Sequence, residues 1–573
     1  MYTIINKTAS KAIINKTLNK AIYKGSQNNI QEKQLPLSIY LFLALLSFFF
    51  SANVNAQENT SEDRHKQCQK SEEQIVFSPN TIFDESKDDT YFFHRWANWL
   101  HITTKKATLE NESAFFLKDC IHHEDDLAEL ERHLRTKKYL RDARVTFDKS
   151  TKKITATTWD NWSLLPTASF SRKGGVNSYS WGIKERNLLG LGIYAKLESY
   201  KNTQRSGYAI RANIPLFQKQ NTDLYLTFAD NDDGDKKSVF VQKIFAGFKT
   251  TYAYNIGFNQ ELRDDTIFQN GVDQTKFSHD ISYKTASYSW LKSNDSNKTL
   301  RYKVGFTQNK ETFSAFQPPV ENLLSSALPH NRDFVYPWLG IDYVEKEFHK
   351  LTNIKLVNII EDFNTGWQFD ANIGIGNGNN DNGAWLFWSS NVNKGFSFAD
   401  RSLMLLKLRF EGEIYKDQQT RVLAQIKSEY FHSFNEQWGV YFNNISTLSQ
   451  NQYLDRPVNI GGNTGVRGFP LQYQHGEYST QFTSEIRYYP NINIFKLFDL
   501  AGTAFADAGN AFGDTLVDNV ENSWLYSVGI GARLYSPHSS REHQMIHIDL
   551  AFPVSDNPTI DSAAIRLQVK NSF

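Results

Sequence analysis

Leu406-Lys407-Leu408-Arg409-Phe410-Glu411-Gly412-Glu413-Ile414 is a single short segment with two incompatible faces. Successive side chains of an extended chain point to opposite sides. Leu406, Leu408, Phe410, Gly412 and Ile414 therefore share one face, and Lys407, Arg409, Glu411 and Glu413 share the other. Four ionisable groups on one side require water or opposite charges, while the other side requires an apolar medium. The same division recurs at 207–214, where Tyr208, Ile210, Ala212 and Ile214 oppose Arg211 and Asn213. At 544–552, Ile546, Ile548, Leu550 and Phe552 oppose His547 and Asp549. At 564–570, Ile565, Leu567 and Val569 oppose Arg566, Gln568 and Lys570.

Two architectures satisfy such strands. A soluble β-sandwich turns its apolar face inward, whereas a membrane barrel turns it outward onto lipid and pairs every backbone group between neighbouring strands. Composition favours the barrel. Aromatic residues make up 14% of the 573 residues, yet mean hydropathy is −0.52. That combination suits strands that see lipid and water by turns. Beyond residue 60 no apolar run is long enough for a spanning helix, which needs about 20 residues. Net charge is +1, from 63 basic and 62 acidic residues, so there is no basic footprint for nucleic acid.

One apolar run stands apart, LSIYLFLALLSFFF at 37–50. It is short for a membrane span and matches the core of an export signal. Six lysines precede it and Val54-Asn55-Ala56 follows, so residues 1–56 are expected to be a signal peptide with a long leading region, cleaved before Gln57. A membrane anchor is the competing reading. The two cysteines, Cys68 and Cys120, both lie upstream of the alternating strands. An oxidising compartment permits a disulfide between them, and two free thiols are equally compatible with the sequence.

Residues 57–81 are polar and aperiodic and read as a flexible leader. Residues 82–162 read as a small α/β module. FFHRWANWL at 92–100 has helical spacing, 102–109 reads as a strand, and Leu127, Leu130 and Leu134 place a helix over 125–138. Strands at 143–147 and 154–158 close the module around the turn Asp148-Lys149-Ser150. From 163 to 573 the alternation predicts a membrane β-barrel. Its roughly 410 residues give about 26 per strand and connection for 16 antiparallel strands, the expected count, although twelve or eighteen also fit the length.

Several segments in this order resemble the BamA/TamA-type outer-membrane assembly and translocation superfamily, the bacterial surface antigen family. Val466-Arg467-Gly468-Phe469, within GGNTGVRGF, matches its V-R-G-F/Y loop motif. Phe505-Ala506-Asp507-Ala508-Gly509 matches its F-x-D-x-G strand motif, and Ser484-Glu485-Ile486-Arg487 resembles the acidic strand between the two. SVGIGARLYSP at 527–537, HIDLAFP at 547–553, ERNLLGLG at 185–192 and the terminal Phe573 are similar to its first and last barrel segments. The upstream module resembles a single periplasmic POTRA domain. The chain departs from the family pattern in having room for only one such domain, and in carrying Asn571 where an aromatic residue usually precedes the final Phe.

The resemblance implies a loop folded into the barrel lumen, with Asp507 and Glu485 as the salt-bridge partners of Arg467. Alternation supports the arrangement by placing both carboxylates on one face with Thr483, Arg487 and Thr503. A guanidinium grips a carboxylate with two parallel hydrogen bonds, which an ammonium cannot copy. A solvated outer loop with no partner for Arg467 is the bland alternative. The implied function is protein insertion or translocation at the outer membrane. The implied partners are outer-membrane lipid and either unfolded client polypeptides or an envelope partner held by the POTRA-like domain. The alternatives are a passive channel or porin, and a lipid or surface-structure role.

No catalytic set, metal or cofactor is expected. GGNTG lacks the ending of a phosphate cradle, and no G-x-S-x-G elbow is present. His122-His123-Glu124-Asp125-Asp126 has metal-compatible side chains but no spaced third ligand, and reads as an acidic helix start.

Overall fold

The structure, a computed structural model, describes residues 75–570 except 81, 83–91, 115, 117–123, 149, 152, 174–175, 217–220, 318–326, 379–383, 399–400, 416–418, 463–464, 496, 537–544 and 559. The expected signal peptide, Cys68, Cys120, His122, His123 and Phe573 lie outside the described residues.

The N-terminal unit is a three-stranded sheet with helices. Strand β1 (Ile75–Asn80) lies parallel to β3 (Lys153–Asp160), which pairs antiparallel with β2 (Leu140–Asp148). Helices α1 (Phe92–Leu100), α2 (Lys106–Ser113) and α3 (Glu124–Arg135) fall between β1 and β2 in the chain. Leu109, Leu130, Leu134, Leu140, Ile154 and Ala156 form the buried core. Two expectations change here. The sheet begins at Ile75, inside the stretch read as a leader, because its alternation is too short to show before β3 supplies a partner. The expected strand at 102–109 is in part helix α2, where burial of Leu109 decides the conformation.

The expected 16 strands are replaced by 20 in a closed antiparallel barrel, from Leu165–Lys173 to Ala564–Lys570. One of the twenty is broken into Gln368–Gly374 and Asn377–Gly378, both paired with Arg332–Glu345. The count of 16 fails because many connections are far shorter than a uniform allotment supposes. Thr222–Asn231 joins Gly234–Lys243 through Asp232 and Asp233, and Tyr252–Gln269 joins Val272–Asn294 through Asn270 and Gly271. Both residues of the second turn have positive φ, 57° and 81°, the conformation such a tight turn requires.

The two faces lie as the alternation expects. Tyr208, Ile210, Ile530 and Ile565 are exposed on the outside, where lipid lies in a membrane barrel, while Asp549, His547 and Arg566 are buried within. Leu403 and Leu405 break the pattern: they face inward on the strand Ser402–Tyr415 and are buried there.

The N-terminal unit docks on the end of the barrel where the first strand begins. The turn after Val176–Leu188 supplies the seat. Thr108 Oγ1 and the Lys105 amide donate to Gly190 O at 2.9 Å each, and Asn187 Nδ2 donates to Thr104 Oγ1 at 2.9 Å. Gly190 has φ +73° and a Cβ there would lie 2.6 Å from Thr103 O, so only glycine fits this approach. On the other side Lys249 pairs with Asp126 at 2.6 Å, and the Arg132 guanidinium lies over the Phe348 ring at 4.1 Å.

Inside the unit, Glu112 is buried between His133, Lys137 and Tyr139. His133 Nε2 lies 3.3 Å from Glu112 Oε2, Tyr139 donates to Glu112 Oε1 at 3.1 Å, and Lys137 pairs with it directly. Burial opposes ionisation of Glu112, but Lys137 and His133 outweigh it and bring its pKa from 4.5 to about 2. Burial holds His133 neutral, below its ordinary 6.5. Both shifts act in one direction. Protonation of unfolded His133 draws stability away as pH falls below 6.5, and protonation of unfolded Glu112 adds to the loss from 4.5 down to about 2. Protection factors of the amides over 106–135, after correction for the intrinsic slowing of exchange in acid, should therefore fall progressively on acidification, and Glu112→Gln should flatten the part below pH 4.5. Protection factors unchanged between pH 7 and 3 would contradict this.

Arginine at Leu408, on the outer face, should cost about 2–4 kcal/mol near mid-bilayer, against a far smaller cost for Lys407→Gln on the lumen face. Urea unfolding midpoints of the two variants in lipid vesicles measure the difference, and equal midpoints would reverse the assigned faces.

Candidate functional site

The long connection between Trp438–Gln450 and Tyr478–Ile494 turns back into the barrel. It carries a small hairpin, Val458–Ile460 paired with Gln474–Gly476, and its tip holds Val466 to Phe469. Arg467 is buried there. Its Nε donates to Asp507 Oδ2 at 2.7 Å and its Nη2 to Asp507 Oδ1 at 2.8 Å, a two-pronged grip to which the Arg467 amide adds a third bond at 3.2 Å. Nη1 reaches Glu485 Oε1 at 3.3 Å.

The two sequence motifs interlock residue by residue. In the register of the neighbouring strands, Thr483 opposes Asp507, Glu485 opposes Phe505 and Gln481 opposes Gly509. Phe505, Asp507 and Gly509 therefore line the lumen in a row. The Arg467 guanidinium lies over the Phe505 ring, 3.4 Å from its centroid. Val466 needs the space that Gly509 leaves open: a Cβ at Gly509 would stand 3.0 Å from Val466 Cγ2. Gly468 has φ +94° and passes beside Pro553, in the HIDLAFP segment. Phe469 is fully buried against Tyr473 with Ile460 and Leu525.

The charge network extends beyond the pair. Arg487 holds Glu485 at 2.9 Å, Arg533 holds Asp549 at 2.7 Å, and Arg566 of the last strand reaches Asp549 at 3.4 Å. Arg467, Arg487, Arg533 and Arg566 are thus gathered with Glu485, Asp507 and Asp549 on one side of the lumen.

Two features escape the sequence reading. The first is a second anchor at the base of the loop. Arg332 grips Asp455 through two bonds of 2.8 Å and also contacts Glu311, which Arg456 reaches at 2.6 Å. Tyr453 contacts Glu413, itself paired with Arg421 at 2.8 Å. Nothing local marks Asp455 or Arg332; only the barrel's curvature brings them together.

The second is an inward-folded connection at the opposite end, between Arg332–Glu345 and Gln368–Gly374. Phe348–Thr352 pairs with Ile360–Asn364, and the turn between them enters the lumen. Ile354 packs on Leu403, Leu405 and Phe431, while Leu356 and Val357 pack on Tyr489, Ala501, Tyr535 and Met545. Glu361 Oε2 accepts the amides of Ile354, Lys355 and Leu356 at 2.9–3.2 Å, which rigidifies the turn. Its sequence signal is the inward-facing apolar pair Leu403 and Leu405. Arg487 Nη1 donates to Ile354 O at 3.0 Å, so this plug and the arginine lock share one residue.

Fold and site together define a single-chain antiparallel barrel of the outer-membrane kind, with a lumen crossed by two of its own connections and locked by buried arginines. No protein-family model and no curated protein matches the chain. Among solved structures it is similar to BamA from Haemophilus ducreyi lacking POTRA domains 1–3, at 11% identity over 86% of this chain and 84% of that one, with a TM-score of 0.37. It is similar to CdiB from Acinetobacter baumannii at 12% identity over 86% and 73%, with a TM-score of 0.38. It is similar to CdiB from Escherichia coli at 9% identity over 95% and 99%, with a TM-score of 0.39. At such scores these likenesses carry none of the functional reading, which rests on this chain's own geometry.

Removing one member of the Arg467–Asp507 pair strands a buried charge, a loss of about 3–5 kcal/mol. Arg467→Ala should free the 458–476 loop to exchange its amides rapidly while the barrel stays closed. Arg467→Lys should restore protection in part, since one bond replaces two. Combining Arg467→Ala with Asp507→Ala should cost less than the sum of the single changes, with a coupling on the order of 1–3 kcal/mol. Strict additivity would mean that the pair does not hold the loop.

Proposed function

We propose that this protein is an outer-membrane insertion or translocation factor whose working element is the junction between its first and last barrel strands. One observation carries the reading. Among the described residues, the seven-residue last strand Ala564–Lys570 meets the first strand Leu165–Lys173 at only two positions, Arg566 with Ser171 and Leu567 with Phe170. Every other full-length neighbour pair zips along most of its length, as at Leu165–Lys173 with Val176–Leu188, paired from Leu165–Lys184 to Lys173–Val176. A strand edge with unmade hydrogen bonds is a template for an incoming extended segment.

The inserted connections support the same reading. The loop enters the lumen from one end and the plug from the other, both held by buried ion pairs and hydrogen bonds, whereas opening the seam breaks few bonds. The N-terminal unit would lie in the periplasm and present clients to the barrel. The outer edge of β2 is already capped there, with Glu131 accepting the Val145 amide at 3.0 Å and Arg135 donating to Ala143 O at 3.3 Å. A client strand added on that side must displace both side chains.

The test is a staple at the seam. With Cys68 and Cys120 changed to Ser, Phe170→Cys and Leu567→Cys occupy directly opposed positions. Oxidation should reproduce the outer-membrane proteome of depleted cells, and reductant should reverse the defect, with the barrel equally heat-modifiable in both states. Normal function with the staple closed would exclude a seam mechanism.

A further inference from the structure

Helix α1 has a composition unlike the rest of the N-terminal unit: FFHRWANWL holds four large aromatic residues in nine and no acidic one. Phe92, Trp96 and Trp99 stand at i, i+4 and i+7 and so share one face. That face is turned outward. Trp96 is 54% exposed and Trp99 77% exposed, far beyond what two tryptophans leave open in a finished core. Arg95 is also exposed on this side.

The location of the helix indicates what covers this face. α1 ends one residue before His101, whose Nε2 lies 2.8 Å from Asp160 Oδ2. Asp160 also accepts the Thr104 amide at 2.7 Å, and Thr104 and Lys105 are bonded to the 187–190 turn of the first barrel hairpin. The helix is thus moored at the barrel rim. The apolar surface continues there through Ile102, Leu164, Leu188 and Leu189, all exposed, onto Ile183 and Trp181 of the outward face of Val176–Leu188. Exposed apolar side chains thus stand both on the aromatic helix and on the outward face of the neighbouring barrel wall.

We infer that α1 is a membrane-interface helix, lying in the near leaflet of the bilayer beside the first barrel strand. Tryptophan suits that depth, because its ring is apolar and its N–H finds a partner among headgroups. Arg95 extends its guanidinium to phosphate while its stem stays in the apolar zone. The short helix buries its aromatic face in the headgroup boundary. The attachment is hydrophobic rather than electrostatic. Arg95 is the one basic residue on the aromatic face among the described residues, so anionic lipid adds little. The occupant is the phospholipid surface itself.

The experiment uses the full chain refolded in vesicles, with Cys68 and Cys120 changed to Ser and a bimane label on Trp99→Cys. Shallow doxyl-labelled lipid should quench the label several-fold more than aqueous iodide does, equally in zwitterionic and in partly anionic vesicles. The same label on Lys106→Cys, an exposed position of α2, should show the reverse order. Heat-modifiability confirms a closed barrel in each variant, and Phe92→Cys gives a second report should Trp99→Cys fail to fold. Iodide quenching of both helix labels in vesicles would overturn the inference. Protection from both quenchers would overturn it equally, since that places the face against protein. In a second measurement, Trp96→Glu with Trp99→Glu should accelerate amide exchange over 92–100 in vesicles several-fold. Unchanged exchange would likewise count against an interface helix.

Discussion

A backbone amide facing hydrocarbon without a partner costs several kcal/mol, and this constraint determines the rest of the architecture. It forces the 20 strands to close, because an open sheet would leave two edges in lipid. It also makes the seam between Leu165–Lys173 and Ala564–Lys570 the exceptional place in the wall, since among the described residues closure there is achieved with two register positions. A barrel of 20 strands encloses a wide lumen, wider than side chains alone can fill. The chain inserts two of its own connections there, and both are then obliged to satisfy their own polar groups. Glu361 serves this need for the plug, and Asp507 serves it for the Arg467 amide.

The parts of the fold legible in the sequence are those governed by periods of two. The facing of Leu406 to Ile414, of Arg566 and of Asp549 follows from alternation alone, because one register slip would reverse every side chain. The Arg467, Asp507 and Glu485 cluster was legible by a different route, a resemblance of short motifs, with alternation showing that the two carboxylates share a face. Strand number was not legible. Period-two alternation marks where a strand lies but does not reveal whether the next turn has two residues or twenty, and turns such as Asn270-Gly271 compress the chain into more strands. The strand expected near 102–109 failed for a related reason: five residues of that stretch carry little periodicity, and the buried Leu109 fits either conformation.

The plug and the Arg332–Asp455 anchor show the other limit. Both join residues more than a hundred positions apart, Arg332 to Asp455 and Arg487 to Ile354. The pairing depends on the diameter and the shear of the barrel, neither of which is written in any local stretch. Only the apolar inward pair Leu403 and Leu405 left a trace, as an exception to the rule by which the strand was recognised.

Burying four arginines with three carboxylates is not the cheapest way to stabilise a lumen, since apolar residues of like volume often do as well or better. What the charged solution adds is a single acceptable position. A leucine in place of Arg467 would slide along Phe505 with little change in energy, whereas a guanidinium fits Asp507 in one orientation and is penalised for any displacement. Gly509 and Gly468 sharpen this by leaving room only where the loop passes. A half-released Arg467 would leave the buried Asp507 short of its two-pronged partner, while Glu485 keeps Arg487, so intermediate positions of the loop are costly. Arg487 extends that choice to the plug, because it holds Glu485 with one edge and Ile354 O with the other. From the plug the chain of contacts continues to the N-terminal unit, where Arg135 reaches Asp362 at 3.6 Å and Arg132 covers Phe348. Loop, plug and N-terminal unit are therefore joined through charged contacts, and release of any one of them removes a partner from the next.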